Sequence, residues 1–233
     1  MIITEVDLMI NIQKHMDFFD PTELEAQVHL IGCGAIGSHL AEQMARLGIS
    51  NVHLWDFDTV SAHNIANQNF RDKDIGILKA HALEEIMKEI NPEIEVTVHD
   101  DGWKEGARLS GWIFLAVDNI DTRREIIQDN IDNPYIKGYC DIRMGLTDSQ
   151  IYFINTPKLI DQLLGTMNFS HDEAKENVPV SACGLSLSVI PTIKFATAMA
   201  ISNWINCLKE TEFYNFIMTD AFNFILDKFT WRH

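Results

Sequence analysis

The stretch VHLIGCGAIGSHLAEQMARLGISNVHLWDFDTV, Val28 to Val60, packs a glycine-rich turn and the two aspartates Asp56 and Asp58 into one short run. QVHLIG reads as a buried strand. Ile36, Leu40, Met44 and Leu47 then recur at helical spacing, and Gly48 stands where a helix stops. NVHLWD reads as the next strand. Gly32, Gly34 and Gly37 thus form G-x-G-x-x-G between a strand and a helix, the context in which that spacing carries meaning. The first glycine permits a tight turn, the second lets a phosphate approach the backbone, and the third lets helix and strand pack closely. The helix N-terminus offers free N–H groups and a partial positive charge. Asp56 closes the second strand, where its carboxylate can accept from ribose hydroxyls. Alone, the turn fits a dinucleotide, ATP, or a purely packing role.

Strands and helices alternate around this stretch. Asp74 to Ile90 reads as a helix closed by Asn91-Pro92; IEVTVHD and GWIFLAVD read as strands, with the helix DTRREIIQDNI behind the second. Such alternation predicts an α/β, Rossmann-like, mostly parallel twisted sheet with helices on both faces. YIKGYCDIRMG and SQIYFINT look like paired antiparallel strands toward the C-terminus. The rhythm is continuous, so residues 1–233 read as one domain, with an N-terminal helical segment over 1–26 and a mobile crossover loop over 157–182.

The net charge of −16 argues against a nucleic-acid partner, which needs a basic footprint. An anionic ligand must find a locally positive pocket in an acidic protein. The longest apolar run, Cys183 to Leu208, is interrupted by Pro191, Lys194, Asn203 and Asn206, and reads as a buried helix, not a membrane span. The N-terminal residues lack the layout of a signal peptide, which points to the cytoplasm. Cys33, Cys140, Cys183 and Cys207 form no C-x-x-C pair, so reduced thiols and no zinc site are expected. The nine histidines show no H-x-x-x-H or comparable ligand spacing.

The next residues select the chemistry. Asp56-Phe57-Asp58-Thr59-Val60 leads to Asn64-Ile65-Ala66-Asn67-Gln68, then Asp74-Ile75-Gly76-Ile77-Leu78-Lys79-Ala80, then Ile90-Asn91-Pro92, and FLAVDN ends in Asp118-Asn119. From Val28 to about Arg124 these boxes resemble, in order and spacing, the adenylation domain of the MoeB/ThiF/HesA family and of ubiquitin-activating enzymes. The resemblance implies an ATP-dependent adenylyltransferase. A C-terminal carboxylate, of a small ubiquitin-like or sulfur-carrier protein, attacks the α-phosphate and releases pyrophosphate. It implies Gly32, Gly34, Gly37, Asp56, Asp58, Asn64, Gln68 and Lys79 around ATP, and Asp118 holding Mg2+. Lys79 suits phosphate oxygens as a point charge. Asp118 equally suits an N-cap for the helix behind it.

The family's N-x-x-R-Q arginine is Asn67 here, and no arginine precedes Arg46, so the arginine expected across a dimer is also missing. Adenylation places extra charge on the phosphates, and two lost arginines remove stabilisation. Arg71 is the expected substitute, with Arg143 and Lys14 as further cations. Cys183 stands before a long helix, where the resemblance implies a nucleophile in the crossover loop; it equally suits a packing residue. Two rival readings stand beside the enzyme: a catalytically weakened ThiF-like module that binds a nucleotide or partner, and a nicotinamide-dependent oxidoreductase that leaves the later boxes unexplained. The apolar residues from Leu185 to Trp204 cover more than one side of a helix, which predicts a homodimer through that helix.

Overall fold

The computed structural model describes residues 10–24, 26–176, 179–180 and 187–231. Eight strands form one sheet: β1 Val28–Ile31, β2 Asn51–Trp55, β3 Glu95–His99, β4 Gly111–Leu115, β5 Ile136–Met144, β6 Asp148–Ile154, β7 Phe216–Asp220 and β8 Ile225–Phe229. Their order is β3-β2-β1-β4-β5-β6-β7-β8. The first five run parallel and the last three antiparallel. The helices are α1 Ala35–Leu47, α2 Lys79–Ile90, α3 Ile120–Asp129, α4 Ile160–Gly165, α5 His171–Glu176 and α6 Ile190–Leu208. The expected Rossmann-like fold, parallel first and antiparallel toward the C-terminus, is present.

Strands β1 and β4 are buried along their whole length, as parallel strands covered on both faces must be. Helix α1 ends at Gly48, whose left-handed backbone (φ 82°) lets its N–H return to Ala45 O while the Ile49 N–H reaches Met44 O. Helices α1, α2 and α6 cover one face around Leu40, Met44, Leu83, Met87, Phe114 and Trp204. On the other face α3 and α4 cover Ile113, Leu115, Ile126, Ile127 and Leu163. Trp204 meets Phe114 edge-on, with ring centroids 5.2 Å apart.

Three expectations change. Residues 10–24 form a turn over 13–18 and a short 3-10 helix, Pro21–Glu23, where a helix was expected; residues 1–9 and 25 of that segment lie outside the described set. Residues 157–176 are built from a 3-10 turn, α4 and α5, because Leu159, Ile160, Leu163 and Met167 supply enough apolar surface to seat them. The rest of that crossover lies largely outside the described residues. Helix α6 does not hold a second apolar side in reserve: the sheet takes one side and α1 the other, so the argument for a dimer through α6 falls away. The C-terminal residues continue the sheet as β7 and β8, leaving Phe224, Ile225, Leu226 and Phe229 exposed at its edge. Among the described residues no helix is long and apolar enough to cross a membrane.

Trp204 is fully buried between α6 and the sheet. Trp204→Ala is expected to cost about 3–5 kcal/mol, read as a lower midpoint in urea unfolding with an unchanged slope.

Candidate functional site

The strand order reverses between β1 and β4, and open α/β sheets bind ligands beyond the carboxyl ends of their strands at such a reversal. The turn after β1 and the loop after β4 meet there. Gly32 has φ 99°, and a Cβ on it would lie 2.6 Å from the backbone of Ala116 and Val117. A Cβ on Gly37 would lie 1.9 Å from the Gly32 carbonyl oxygen. Both glycines are demanded by backbone packing. Gly34 differs: among the described residues nothing lies within 4 Å of the Cβ it lacks. It is the N-cap of α1 and supplies no side-chain cap. Among the described residues the first N–H groups of α1 thus have no side-chain cap, the arrangement that accepts an anion.

Asp56 follows β2 on the same edge. Its Oδ2 accepts the Cys33 N–H at 2.6 Å and its Oδ1 the Asp58 N–H at 2.8 Å. Burial pushes its carboxyl above the usual range, against these two hydrogen bonds and the nearby Lys79, which pull it down. An ionised carboxylate accepts more bonds than these two, so lone pairs remain for a ligand hydroxyl. Lys79 opens α2, is itself buried, and places Nζ 2.8 Å from the more exposed Asp58 Oδ2. The Lys79 N–H also donates to Asp58 O at 2.8 Å, so ammonium and loop are fixed together.

The 61–68 segment packs beside the turn. Asn64 is buried, and its side-chain oxygen accepts the Ser61 N–H at 2.8 Å. The Gln68 N–H donates to Asn64 O at 2.8 Å, while Gln68 Oε1 is buried with no partner among the described residues. Asn67 Nδ2 donates to Ser188 Oγ, and Asn67 Oδ1 is buried and without a partner among the described residues. Ser38 Oγ on α1 accepts the Asn69 N–H at 2.9 Å, holding this segment against the helix.

The substitute cations are already engaged. Arg71 donates to the buried Asp74 and pairs with Glu85 and Glu89 of α2. It clamps its own loop and points to that carboxylate group. Arg143 pairs with Asp141 and donates to Thr166 O and Oγ1, both at 2.8 Å. Asp141, fully buried, also takes Arg123. Lys14 is exposed on the 13–18 turn.

Asp118 is exposed just beyond β4 and makes no hydrogen bond or ion pair among the described residues. The cap of α3 is Asn119, whose Oδ1 accepts the Asp121 N–H at 2.9 Å and the Thr122 N–H at 3.3 Å. The capping role open to Asp118 on sequence is therefore filled by its neighbour. Cys33 and Cys140 are buried, and burial pushes both thiols well up; they pack. Cys183 lies outside the described residues. The Arg123–Asp141–Arg143 group went unread in the sequence. Its one signal was alternation in GYCDIRM, which places Asp141 and Arg143 on the same face.

The model of the ThiF family matches residues 22–230, and the chain belongs to that family. It is 40% identical over 78 residues to the tRNA threonylcarbamoyladenosine dehydratase of Escherichia coli (strain K12), covering 33% of this chain and 29% of that protein. It is 29% identical over 117 residues to the ubiquitin-like modifier-activating enzyme 5 of Xenopus laevis, covering 42% of this chain and 29% of that protein. The match thus spans under a third of either relative. Among solved structures, E. coli MccB with ATP superposes with a TM-score of 0.66 at 15% identity, over 90% of this chain and 65% of that one. E. coli MccB with AMPCPP and MccA gives 0.67 at 15%, over 90% and 65%. At these identities the structures show a shared fold.

The glycines make opposite predictions. Gly37→Ala forces a Cβ into a backbone carbonyl and is expected to destabilise by about 3 kcal/mol or more. Gly34→Ala meets no atom of the described residues and is expected to unfold with the parent's midpoint, within about 0.5 kcal/mol. Thermal unfolding of the two variants checks this.

Proposed function

We propose that this chain is an ATP-dependent adenylyltransferase that activates the C-terminal carboxylate of a small protein or peptide. One observation carries the reading: Gly34, Asp56, Lys79 and Asp118 come from four separate segments and stand at one sheet edge, beside an open helix N-terminus. Membership of the ThiF family supports it, as does the naming of a ubiquitin-like modifier-activating enzyme among the relatives. The fold it shares with MccB, a protein solved with ATP and with MccA, agrees with it.

In this reading the triphosphate lies over Gly34 and the N–H groups of α1, and Asp56 accepts the ribose hydroxyls. Lys79 leaves Asp58 for a phosphate oxygen, with Asp58 holding the ammonium ready beforehand. Asn64 and Gln68 line the phosphate end. The substrate carboxylate oxygen bonds to the α-phosphorus, the bond from the α-phosphorus to the β-phosphate bridge breaks, and an acyl-adenylate and pyrophosphate form. The protein positions the reactants and offsets charge. An unpaired, exposed carboxylate at a strand end fits Mg2+, which takes one or two carboxylates and completes its shell with phosphate oxygens and water; Asp118 would hold it, and the ion would offset phosphate charge. The acyl group then passes to a sulfur or amine nucleophile, with Cys183 the candidate thiol. The sulfur-carrier or ubiquitin-like class of the partner and the cytoplasmic setting belong to this proposal, as does pairing of two copies, for which α6 no longer argues.

One observation favours a second reading, a module with weakened chemistry. Asn67 stands where the family pattern has arginine, and Arg71 and Arg143 are both engaged by carboxylates.

Exchange of labelled pyrophosphate into ATP, with peptides carrying a free C-terminus, separates the two. The enzyme reading expects exchange, reduced about tenfold or more by Asp118→Ala. ATP binding with no exchange for any substrate supports the weakened module. Exchange that is unchanged in Asp118→Ala removes Asp118 from the metal role.

A further inference from the structure

Each of the three strands on the β1 side carries a histidine, and the parallel register brings them together. His29 pairs with His53 across β1 and β2, and Trp55 pairs with His99 across β2 and β3. The His29 and His53 rings stack with centroids 4.3 Å apart, His53 and His99 at 5.4 Å, and Trp55 and His99 at 3.5 Å. This column stands directly behind the site. Asp56 follows Trp55 in the chain, and its N–H donates to His99 O at 3.2 Å.

Hydrogen bonds thread the column, and one group fixes their direction. The Trp55 indole can only donate, and its Nε1 lies 3.0 Å from His29 Nδ1. His29 Nδ1 therefore accepts, and the neutral ring carries its hydrogen on Nε2. That nitrogen lies 3.1 Å from Gln27 Nε2, which also meets Ser110 Oγ; two N–H groups cannot face each other, so the carboxamide, whose two ends are interchangeable, is turned to put its oxygen here, where it accepts from His29 Nε2 and from the Ser110 hydroxyl. So turned, the amide nitrogen takes the place of Oε1, 3.1 Å from His53 Nε2, and donates to it, and His53 Nδ1 donates to His99 Nε2 at 3.1 Å. Each of these links is satisfied with one hydrogen on each ring; the Ser110 N–H, at 3.4 Å from His29 Nε2, is the one donor left facing a hydrogen. A second hydrogen on His99 faces the N–H of His53. Reversing the whole chain only moves the conflict to Trp55, whose N–H cannot turn into an acceptor.

We propose that the Trp55–His99–His53–His29 column positions Asp56 for the nucleotide, that it does so only with all three imidazoles neutral, and that it gives nucleotide binding an acid limit. This rests on Asp56 as the ribose acceptor. Trp55 and the three histidines are positioning residues; they act through Asp56. The proton enters at His99, the outermost ring, where Asp101 is the facing carboxylate and is itself paired with Lys104. From β1 and the segment before β4 the neighbours are the neutral Gln27 and Ser110. Glu95 and Thr97 share the His99 face of β3, four and two positions back.

The direction of titration agrees. Burial, followed by the charge of the other two rings, holds His29 down to about 3, and burial lowers His53 and His99 from 6.5. A histidine lowered in the folded state contributes its full stability above 6.5. That contribution is lost as pH falls below 6.5 toward the folded value, because the unfolded chain binds more protons.

The test is calorimetric titration of Mg-ATP into the full chain at pH 7.5 and 5.5, for wild type, His99→Phe and His99→Ala. Wild type is expected to lose about tenfold or more in affinity at the lower pH, the scale of one pKa unit. His99→Phe keeps a ring on Trp55 but takes no proton, and is expected to lose less than about threefold. His99→Ala removes the ring and is expected to bind at least about tenfold more weakly than His99→Phe at pH 7.5. Parallel acid losses in wild type and His99→Phe overturn the column while leaving the nucleotide site intact, and that comparison stands even if His99→Ala does not fold. Equal binding by a folded His99→Ala and wild type at pH 7.5 overturns the positioning role. No ATP binding by wild type at pH 7.5 overturns the nucleotide reading, and the column with it.

Discussion

The carboxylate of Asp56 is the joint on which the candidate site depends. One oxygen takes the N–H of Cys33, inside the glycine turn, and the other takes the N–H of Asp58. A single side chain thus locks the turn after β1 to the loop after β2. The loop in turn carries Asp58, which holds Lys79 by side chain and by backbone. Without that carboxylate the turn, the loop and the first residue of α2 lose their common anchor. Burial makes the ionised form costly, and the two N–H donors and Lys79 are what offset it.

An acidic chain has a particular difficulty in holding a triphosphate. With 34 carboxylates against 18 lysines and arginines, most cations find a partner within the protein. Arg71, Arg123 and Arg143 are all spent on Asp74 or Asp141 in this way. Positive potential at the crevice comes instead from backbone: the uncapped start of α1 beside Gly34. Backbone N–H groups are already oriented and need not be drawn away from a carboxylate, whereas Lys79, in the proposed function, would exchange Asp58 for phosphate.

Much of this was legible in the sequence because it is local. The G-x-G-x-x-G turn, α1 with its Gly48 stop, and the Asp56 position each follow from residues close together in the chain. What was not legible depends on register or on competition. The histidines are far apart in sequence and show no ligand spacing, yet VHLI, NVHLW and EVTVH set them side by side once the strands pair in parallel. Arg71 was read as a free cation because sequence does not reveal that Asp74, Glu85 and Glu89 surround it. Residues 157–176 looked irregular because α4 and α5 are too short for helical periodicity to stand out. The helix from Ile190 was read correctly as buried, but its second side was assigned to another subunit when α1, far upstream, covers it.

The central claim is that the crevice between the β1 turn and the β4 loop is an ATP site. Calorimetric titration of the full chain with Mg-ATP and, separately, with NAD tests it most directly. The account predicts one ATP bound per chain, lost on Gly34→Val, and no heat from NAD beyond dilution. Saturable binding of NAD with none of ATP, or ATP binding that is indifferent to Gly34→Val, would contradict it.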